Sequence, residues 1–547
     1  MRSEILKSDK GLQVRAIAGT HVVLLTFSCP ARYRHGLLGF SIHRLDHENQ
    51  EAIWLRGSKM FDLPESDDGE SVSTRHHPIQ KFHWGDYTAK AGRTYTYTVS
   101  AMKGKPGRLS EFDRVAVQVT CEVPERVGRH GHAIYFNRSA AASQQFASRF
   151  PNLPAGEVVD EKARRWLSRG LAEALIAFID AARPGEGLHL SVYEFEKIEF
   201  FEALKRALDR GVRLEILYDA VTKNEHFPSE KSKPLIEKYG LGEVSRGRTG
   251  KGLNISHNKF MVRTGTDGKP RTVFSGSTNF TDNGIYGQSN VGHVVTNAAL
   301  AQTYYDWHQR IWLAPDTSAA ESRIEAMALT SPPESTEPGM SLVLSPRTSI
   351  EAIDECASLV SEGKKLVLFS APFAIHEVLD QALQGCRAQV FGLLNKPGVI
   401  SEALQQAGHV ELAAAGALSE RSILEQWQGT LHRESMHHSG VFIHTKILLV
   451  DPLSDNPKVV CGSANFSDSS STKNDENQLF FFGDTAVADV YLGEFMRMFD
   501  HYHFRDYAKR VAKERRQDPR AGFLRPSDDW TDAYFGGERE RLRLAFF

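Results

Sequence analysis

The chain has little sulfur, no net charge to speak of and no long apolar run, and each shortage removes a class of function. Five cysteines stand among 547 residues, at Cys29, Cys121, Cys356, Cys386 and Cys461, with no CxxC pair. An odd, scattered set argues against a disulfide framework and for reduced thiols, so the expected compartment is the cytoplasm. Lys plus Arg number 66 and Asp plus Glu 68, leaving no overall field to draw nucleic acid or anionic lipid. No stretch of 18 or more apolar residues occurs, and "MRSEILKSDKGLQ" lacks the apolar centre of a secretory leader. Phosphate-binding Walker glycines, the Rossmann glycine pattern and the G-x-S-x-G elbow are all missing.

What is present is 41% hydrophobic residues, enough for several large cores, and a length that predicts three to four domains. From about residue 11 to 122 the text reads as strands, with Tyr95, Tyr97 and Val99 alternating before a Gly/Pro/Lys turn. That pattern predicts a β-sandwich over residues 1–122 and resembles a fibronectin III or immunoglobulin-like module. Such a module docks a protein or a substrate, or it is a stabilising appendage.

Beyond residue 122 a repeat appears. Helix "RGLAEALIAFIDAAR", strand "LHLSVYEF", helix "IEFFEALKRALDRG" and strand "VRLEILYD" are followed, after "LTSPPESTEPGM", by "SIEAIDECASLVSEG", "KKLVLFSAPF", "IHEVLDQALQG" and "RAQVFGLLN". Helices alternating with apolar strands predict an α/β fold of two pseudo-symmetric α-β-α lobes, residues 123–330 and 331–510, with residues 511–547 as a C-terminal extension. A basic stretch, "RDYAKRVAKERRQDPR", reads either as a solvated helix face or as phosphate attraction near a site.

Each unit then reaches the same punctuation. Of 22 histidines only His257 and His444 are followed two residues later by lysine, in "SHNKFMVRT" and "IHTKILLVD". Both lead into a hairpin, then into "SGSTNF" with Gly276, Ser277 and Asn279, and "CGSANF" with Gly462, Ser463 and Asn465. A phosphodiester resists attack because it is anionic and its leaving group is poor. Two His-Lys pairs answer both problems without a metal or other cofactor: one imidazole attacks phosphorus, the other protonates the departing oxygen, and Lys259, Lys446, Asn279 and Asn465 hold the oxygens. Ser277, Ser463, Gly276 and Gly462 would shape the substrate-binding rim.

These doubled segments resemble the H-x-K-x4-D and G-S-x2-N motifs of the phospholipase D superfamily. The second copy fits fully, with Asp451; the first departs, with Thr264 where the family has Asp. The resemblance implies a phosphohistidine intermediate and a supporting role for Asp451. It also implies a carboxylate that orients one histidine. Glu476 lies 14 residues after Gly462, and Asn290 at the same offset after Gly276. Glu476 is therefore expected on His444, favouring its imidazolium as the initial acid, and Asn290 on His257, the expected nucleophile.

Other candidates are Arg246, Arg248 and Lys251 of "SRGRTGKG", expected near bound phosphate or in an exposed loop; His130 and His132, packed or lining the cleft; His437 and His438, a loop or substrate contact rather than a metal site; and Tyr193 and Phe195, expected in the core. The favoured reading is hydrolysis, or transphosphatidylation, of a glycerophospholipid head group. A metal-independent nuclease acting on DNA or RNA is the alternative, and a non-catalytic binding protein is disfavoured by two intact motifs.

Overall fold

A computed structural model describes residues 1–63, 71–129, 131–139, 149–150, 160–221, 228–415, 442–514 and 522–547. The expected sandwich is there. One four-stranded sheet runs Leu6–Lys7, Gln13–Ala18, Val23–Ser28 and His83–Asp86; the other runs Arg108–Thr120, Thr94–Lys105, Leu37–Asp46 and Ala52–Trp54. Alternation along these strands buries Val14, Ala16, Ile42, Tyr95, Tyr97 and Val99, and the rings of Phe27 and Phe40 meet at 4.6 Å between the sheets.

The repeat becomes two seven-stranded sheets of the same topology. In sheet order the first is His132–Phe136, Val291–Val295, Pro270–Gly276, Lys259–Thr264, Gly187–Val192, Arg213–Asp219 and Ser245–Arg248. The second is Gly339–Ser345, Glu476–Phe482, Lys458–Gly462, Ile447–Val450, Leu366–Ala371, Gln389–Leu394 and Val410–Ala414. In each, the helical crossovers join parallel strands, and the hairpin that follows the His-Lys pair runs antiparallel beside them. The fold is mixed α/β, and its two lobes match strand for strand.

Each sheet sends alternate residues to opposite sides. In the first lobe Leu188, Leu190 and Phe274 join Leu171, Leu175, Phe178 and Phe200 of the covering helices. In the second, Val367, Phe369 and Val390 join Ile353, Leu359 and Leu379. The inner faces share one core, in which Val262, Val273, Leu449, Cys461 and Phe481 meet. All five cysteines are buried and unpaired.

A helix of 30 residues, Thr485–Glu514, binds the parts together and continues past residue 510. Tyr491 meets Phe136 of the first lobe at 5.2 Å, and Asp489 forms an ion pair with Arg2 of the sandwich at 2.7 Å. Among the described residues no helix is long and apolar enough to cross a membrane.

The C-terminal extension is less exposed than its charge suggests. Trp530 lies against Phe82 at 5.6 Å and donates its indole N–H to the Leu37 carbonyl, while Phe546 stacks on His83 and also meets Phe391 of the second lobe. Trp530→Ala should therefore cost about 3–5 kcal/mol through the cavity and the lost packing. Urea unfolding followed by circular dichroism reads it, and an unchanged midpoint would show that the extension is not part of the cooperative fold.

Candidate active site

The two His-Lys pairs sit where the hairpin strands begin. His257 just precedes Lys259–Thr264 and His444 just precedes Ile447–Val450, so each imidazole stands at the mouth of its sheet while the apolar residues behind it anchor the strand. Lys259 Nζ donates to the His257 carbonyl at 2.5 Å and Lys446 Nζ to the His444 carbonyl at 2.7 Å. The same short loop is built twice. All four side chains are buried, and the imidazole centroids are 6.4 Å apart.

Gly276 and Gly462 end the next strands with φ of +152° and +146°, a region that L side chains rarely adopt. A Cβ there would come within 2.2 Å of the Val291 carbonyl and 2.4 Å of the Asn477 carbonyl, so neither position admits another residue without a shift. The turns place Ser277 and Ser463 inward. Ser277 Oγ donates to Asn290 Oδ1 at 2.8 Å, and Ser463 Oγ accepts from the Asn477 N–H at 3.0 Å. Both serines are buried among these partners. Asn279 Nδ2 donates to Glu194 at 2.5 Å, and the Oδ1 atoms of Asn279 and Asn465 are buried without a partner.

The partner of each histidine comes from the other lobe. His257 Nδ1 meets Glu476 Oε1 and Oε2 at 2.9 and 2.8 Å, and His444 Nδ1 meets the Ser277 carbonyl and Asn290 Oδ1, both at 3.0 Å. The expectation that Glu476 orients His444 and Asn290 orients His257 is thus corrected. Offset within one repeat said which residues belong to the same turn, whereas the lobes meet about a pseudo-twofold axis that brings each turn to the opposite histidine. Main-chain bonds enforce the exchange: His257 N donates to the Asp475 carbonyl at 2.9 Å and Asp475 N to the Ile255 carbonyl at 3.1 Å. In the other crossing, His444 N donates to the Ser289 carbonyl at 3.1 Å and Ser289 N to the Phe442 carbonyl at 2.7 Å.

The family of cardiolipin synthase PLD-like domains matches residues 175–312. The first of the two motifs lies inside that match, and the second is its structural twin across the axis. Residues 175–312 are thus similar to a phospholipase D-like domain. Among solved structures, a phosphatidylserine synthase from Haemophilus influenzae Rd KW20 aligns at 13% identity over 69% of this chain and 97% of its own, TM-score 0.43. The phospholipase D family member Nuc from Salmonella typhimurium aligns at 17% identity over 30% of this chain and 96% of its own, TM-score 0.22. NucT from Helicobacter pylori aligns at 16% identity over 30% and 98%, TM-score 0.23. No curated protein sequence matches the chain.

Several further residues of this phospholipase D-like site differ from expectation. Arg248 is fully buried and ion-paired with Asp475 at 2.8 Å, beside Glu476, while its other nitrogens reach Ser322 and the Thr317 carbonyl. It clamps the crossing and is not free for phosphate. Arg246 covers the Trp312 ring at 4.3 Å and donates to the Trp312 carbonyl, yet it stays exposed, as does Lys251. Tyr193, expected in the core with Phe195, instead packs edge-on to His257 at 4.9 Å and lies 5.1 Å from Lys259 Nζ. Phe195 is core, and so is His132, whose ring bonds to His293. His130, His437 and His438 lie outside the described residues, as does part of the basic stretch from residue 515.

Asp451 lies away from the chemistry. Its carboxylate accepts the backbone N–H groups of Lys364, Lys365 and Leu366 at 2.7–3.0 Å, and Thr264 instead touches His189 at 3.3 Å. Asp219 and Asn395 are site residues that sequence reasoning missed. Asp219 accepts the Ser256 N–H at 2.6 Å and Asn395 the N–H groups of Phe442 and Ile443, holding the residues just before each histidine. Both end matching strands of the repeat, "LEILYD" and "QVFGLLN", and that correspondence was the signal.

Burial governs the charges. It pulls His257 down to about 4 against the opposing pull of Glu476, and pulls His444 well below the ordinary value with help from Lys446 and Lys259. Burial likewise lowers Lys259 to about 8 and Lys446 further. Burial pushes Glu476 upward, but His257 and Lys259 outweigh it and hold the carboxylate ionised. The free site is thus short of negative charge, and an entering phosphate anion supplies it.

A histidine lowered from 6.5 to about 4 by folding takes up its proton first in the unfolded chain. The stability tied to neutral His257 is complete above the unfolded value of 6.5 and is lost as pH falls toward 4, with His444 extending the loss lower. Urea midpoints measured from pH 7.5 down to pH about 4 should fall less steeply for His257→Gln than for the parent; parallel curves would count against a buried neutral imidazole.

Proposed function

We propose that this chain cleaves a phosphodiester through a covalent phosphohistidine on His257, with His444 as acid and then base, and that its substrate is a glycerophospholipid head group. The observation that carries the reading is the meeting of His257 and His444 at 6.4 Å, each with its lysine and each oriented by the opposite lobe.

The roles follow from the partners, on a ground opposite to the sequence expectation. His257 Nδ1–H donates to Glu476, which leaves Nε2 with a lone pair to attack phosphorus. Phosphorylation then makes the imidazole positive, and the Glu476 carboxylate stabilises that charge as a triad carboxylate stabilises an imidazolium. His444 Nδ1–H donates only to neutral oxygens, so its charge is set by what lies before Nε2. A phosphate anion between Lys259 and Lys446 offsets the positive charges that hold His444 neutral, and the protonated ring gives its proton to the leaving oxygen. The neutral ring next takes a proton from water, which breaks the P–N bond and releases the phosphoryl product. Lys259, Lys446, Asn279 and Asn465 steady the non-bridging oxygens.

Three features favour a lipid over a polynucleotide. Arg248, which would line a basic groove, is buried against Asp475, and the exposed Arg246 lies flat on Trp312. Glu194, beside Asn279, would repel the neighbouring phosphates of a polymer. By strand register Phe373 holds the place in the second lobe that Glu194 holds in the first, and it is 44% exposed, an apolar side chain where the first lobe has an acid.

Purified protein should release the head group from phosphatidylcholine vesicles and leave single- and double-stranded DNA intact, with His257→Ala and His444→Ala each lowering the rate at least about 10²-fold. Cleavage of DNA without lipid hydrolysis would move the substrate to nucleic acid. Enzyme quenched in alkaline denaturant, which spares the acid-labile P–N bond, should carry the phosphoryl group on His257 by peptide mapping, and the group on His444 would reverse the roles.

A further inference from the structure

The first motif's missing carboxylate leads to a second cluster, at the other end of the same strand from the active site. Lys259 opens the Lys259–Thr264 strand at the catalytic mouth, and Thr264 closes it, about 17 Å away for five extended residues. There Thr264 Oγ1 meets His189 Nε2 at 3.3 Å. His189 Nδ1 in turn lies 2.7 Å from Glu215 Oε2, and His308 Nε2, from the Ala298–Leu313 helix, lies 3.4 Å from the same oxygen.

We propose that His189, Glu215 and His308 form a binding site for one divalent transition-metal ion of the zinc class, separate from the phosphodiester chemistry. The three donor atoms all fall within 4.8 Å of one another, where ligands 2.0–2.2 Å from a zinc ion stand about 3.3 Å apart. Two imidazoles and a carboxylate are a ligand set that zinc accepts, with a fourth position left for water. Glu215, a quarter exposed, opens that position to solvent, whereas His308 is fully buried.

Three observations point past an ordinary hydrogen-bonded cluster. His308 Nε2 is buried and aimed at the cluster, where its polar neighbour is Glu215 Oε2 at 3.4 Å, outside good hydrogen-bond geometry, a costly state that a metal would relieve. The remaining ring nitrogens are fixed from behind, His308 Nδ1 by Ser191 Oγ at 3.1 Å and His189 Nε2 by Thr264, and Gln309 donates to Glu215. Metal-bound histidines are characteristically held in this way by outer groups. The twin lobe supplies the internal control. His189 pairs in register with Glu215, and the matching pair in the second lobe is Leu368 with Phe391, both buried in apolar core. The first lobe has two potential ligands where the second has an apolar contact, beside the Thr264 that stands in place of the motif's Asp.

The test is a Co2+ titration of the chelator-stripped full chain, read by visible absorption, with Zn2+ as competitor. One equivalent should bind with a tetrahedral-type spectrum, be displaced by Zn2+, persist in His257→Ala, and weaken at least about tenfold in Glu215→Gln and His308→Gln. X-ray absorption of the zinc-loaded parent protein, which needs no variant, should show nitrogen and oxygen ligands and no sulfur. No saturable binding, sulfur ligation, a spectrum lost in His257→Ala, or one unchanged in the double variant His189→Gln/His308→Gln would each overturn the proposal.

Discussion

One hydrogen bond across the pseudo-twofold axis, from His257 in the first lobe to Glu476 in the second, sets what the rest of the structure must do. A buried carboxylate without a partner is expensive, and so is a buried imidazole whose tautomer is undefined. Joined, each resolves the other's difficulty. The bond also makes the site a property of both lobes together, since neither contains a complete catalytic half. The parts that look like scaffolding serve that one registration. The main-chain pairing at Ser256 and Asp475, the Arg248–Asp475 ion pair behind it, and the long Thr485–Glu514 helix all restrain the second lobe against the first.

The crossing also explains why such a highly charged site can be so deeply buried. Two lysines and two histidines face one carboxylate, with Glu194 and Asp219 at the edge. Burial drives Asp219 up to about 7 and raises Glu194, in each case against the pull of Lys259. The pocket therefore holds its strongest attraction in reserve for an anion.

Much of this was legible in the sequence, and the failures have a common cause. The doubled His-x-Lys and Gly-Ser-x2-Asn segments located the site, and the helix-strand repeat foretold two sheets of one topology, because a repeated sequence repeats its local preferences. Glu476 was found by its offset from Gly462 but attached to the wrong histidine, since an offset carries no information about an axis relating two lobes. Arg248 read as a cation available to phosphate, and its burial against Asp475 depends on a contact 227 residues away in the chain. Tyr193 read as core because the strand before it is apolar; only the turn at the strand's end exposes its edge to His257. Asp219 and Asn395 were missed for want of comparing strand ends between the two units.

The most direct test of the crossed arrangement is the ring N–H spectrum of the protein labelled with 15N-histidine, compared with Glu476→Gln. The account predicts a strongly downfield Nδ1–H assigned to His257, displaced upfield when the carboxylate becomes an amide, with the His444 Nδ1–H left in place. A displaced His444 resonance beside an unmoved His257 would contradict it.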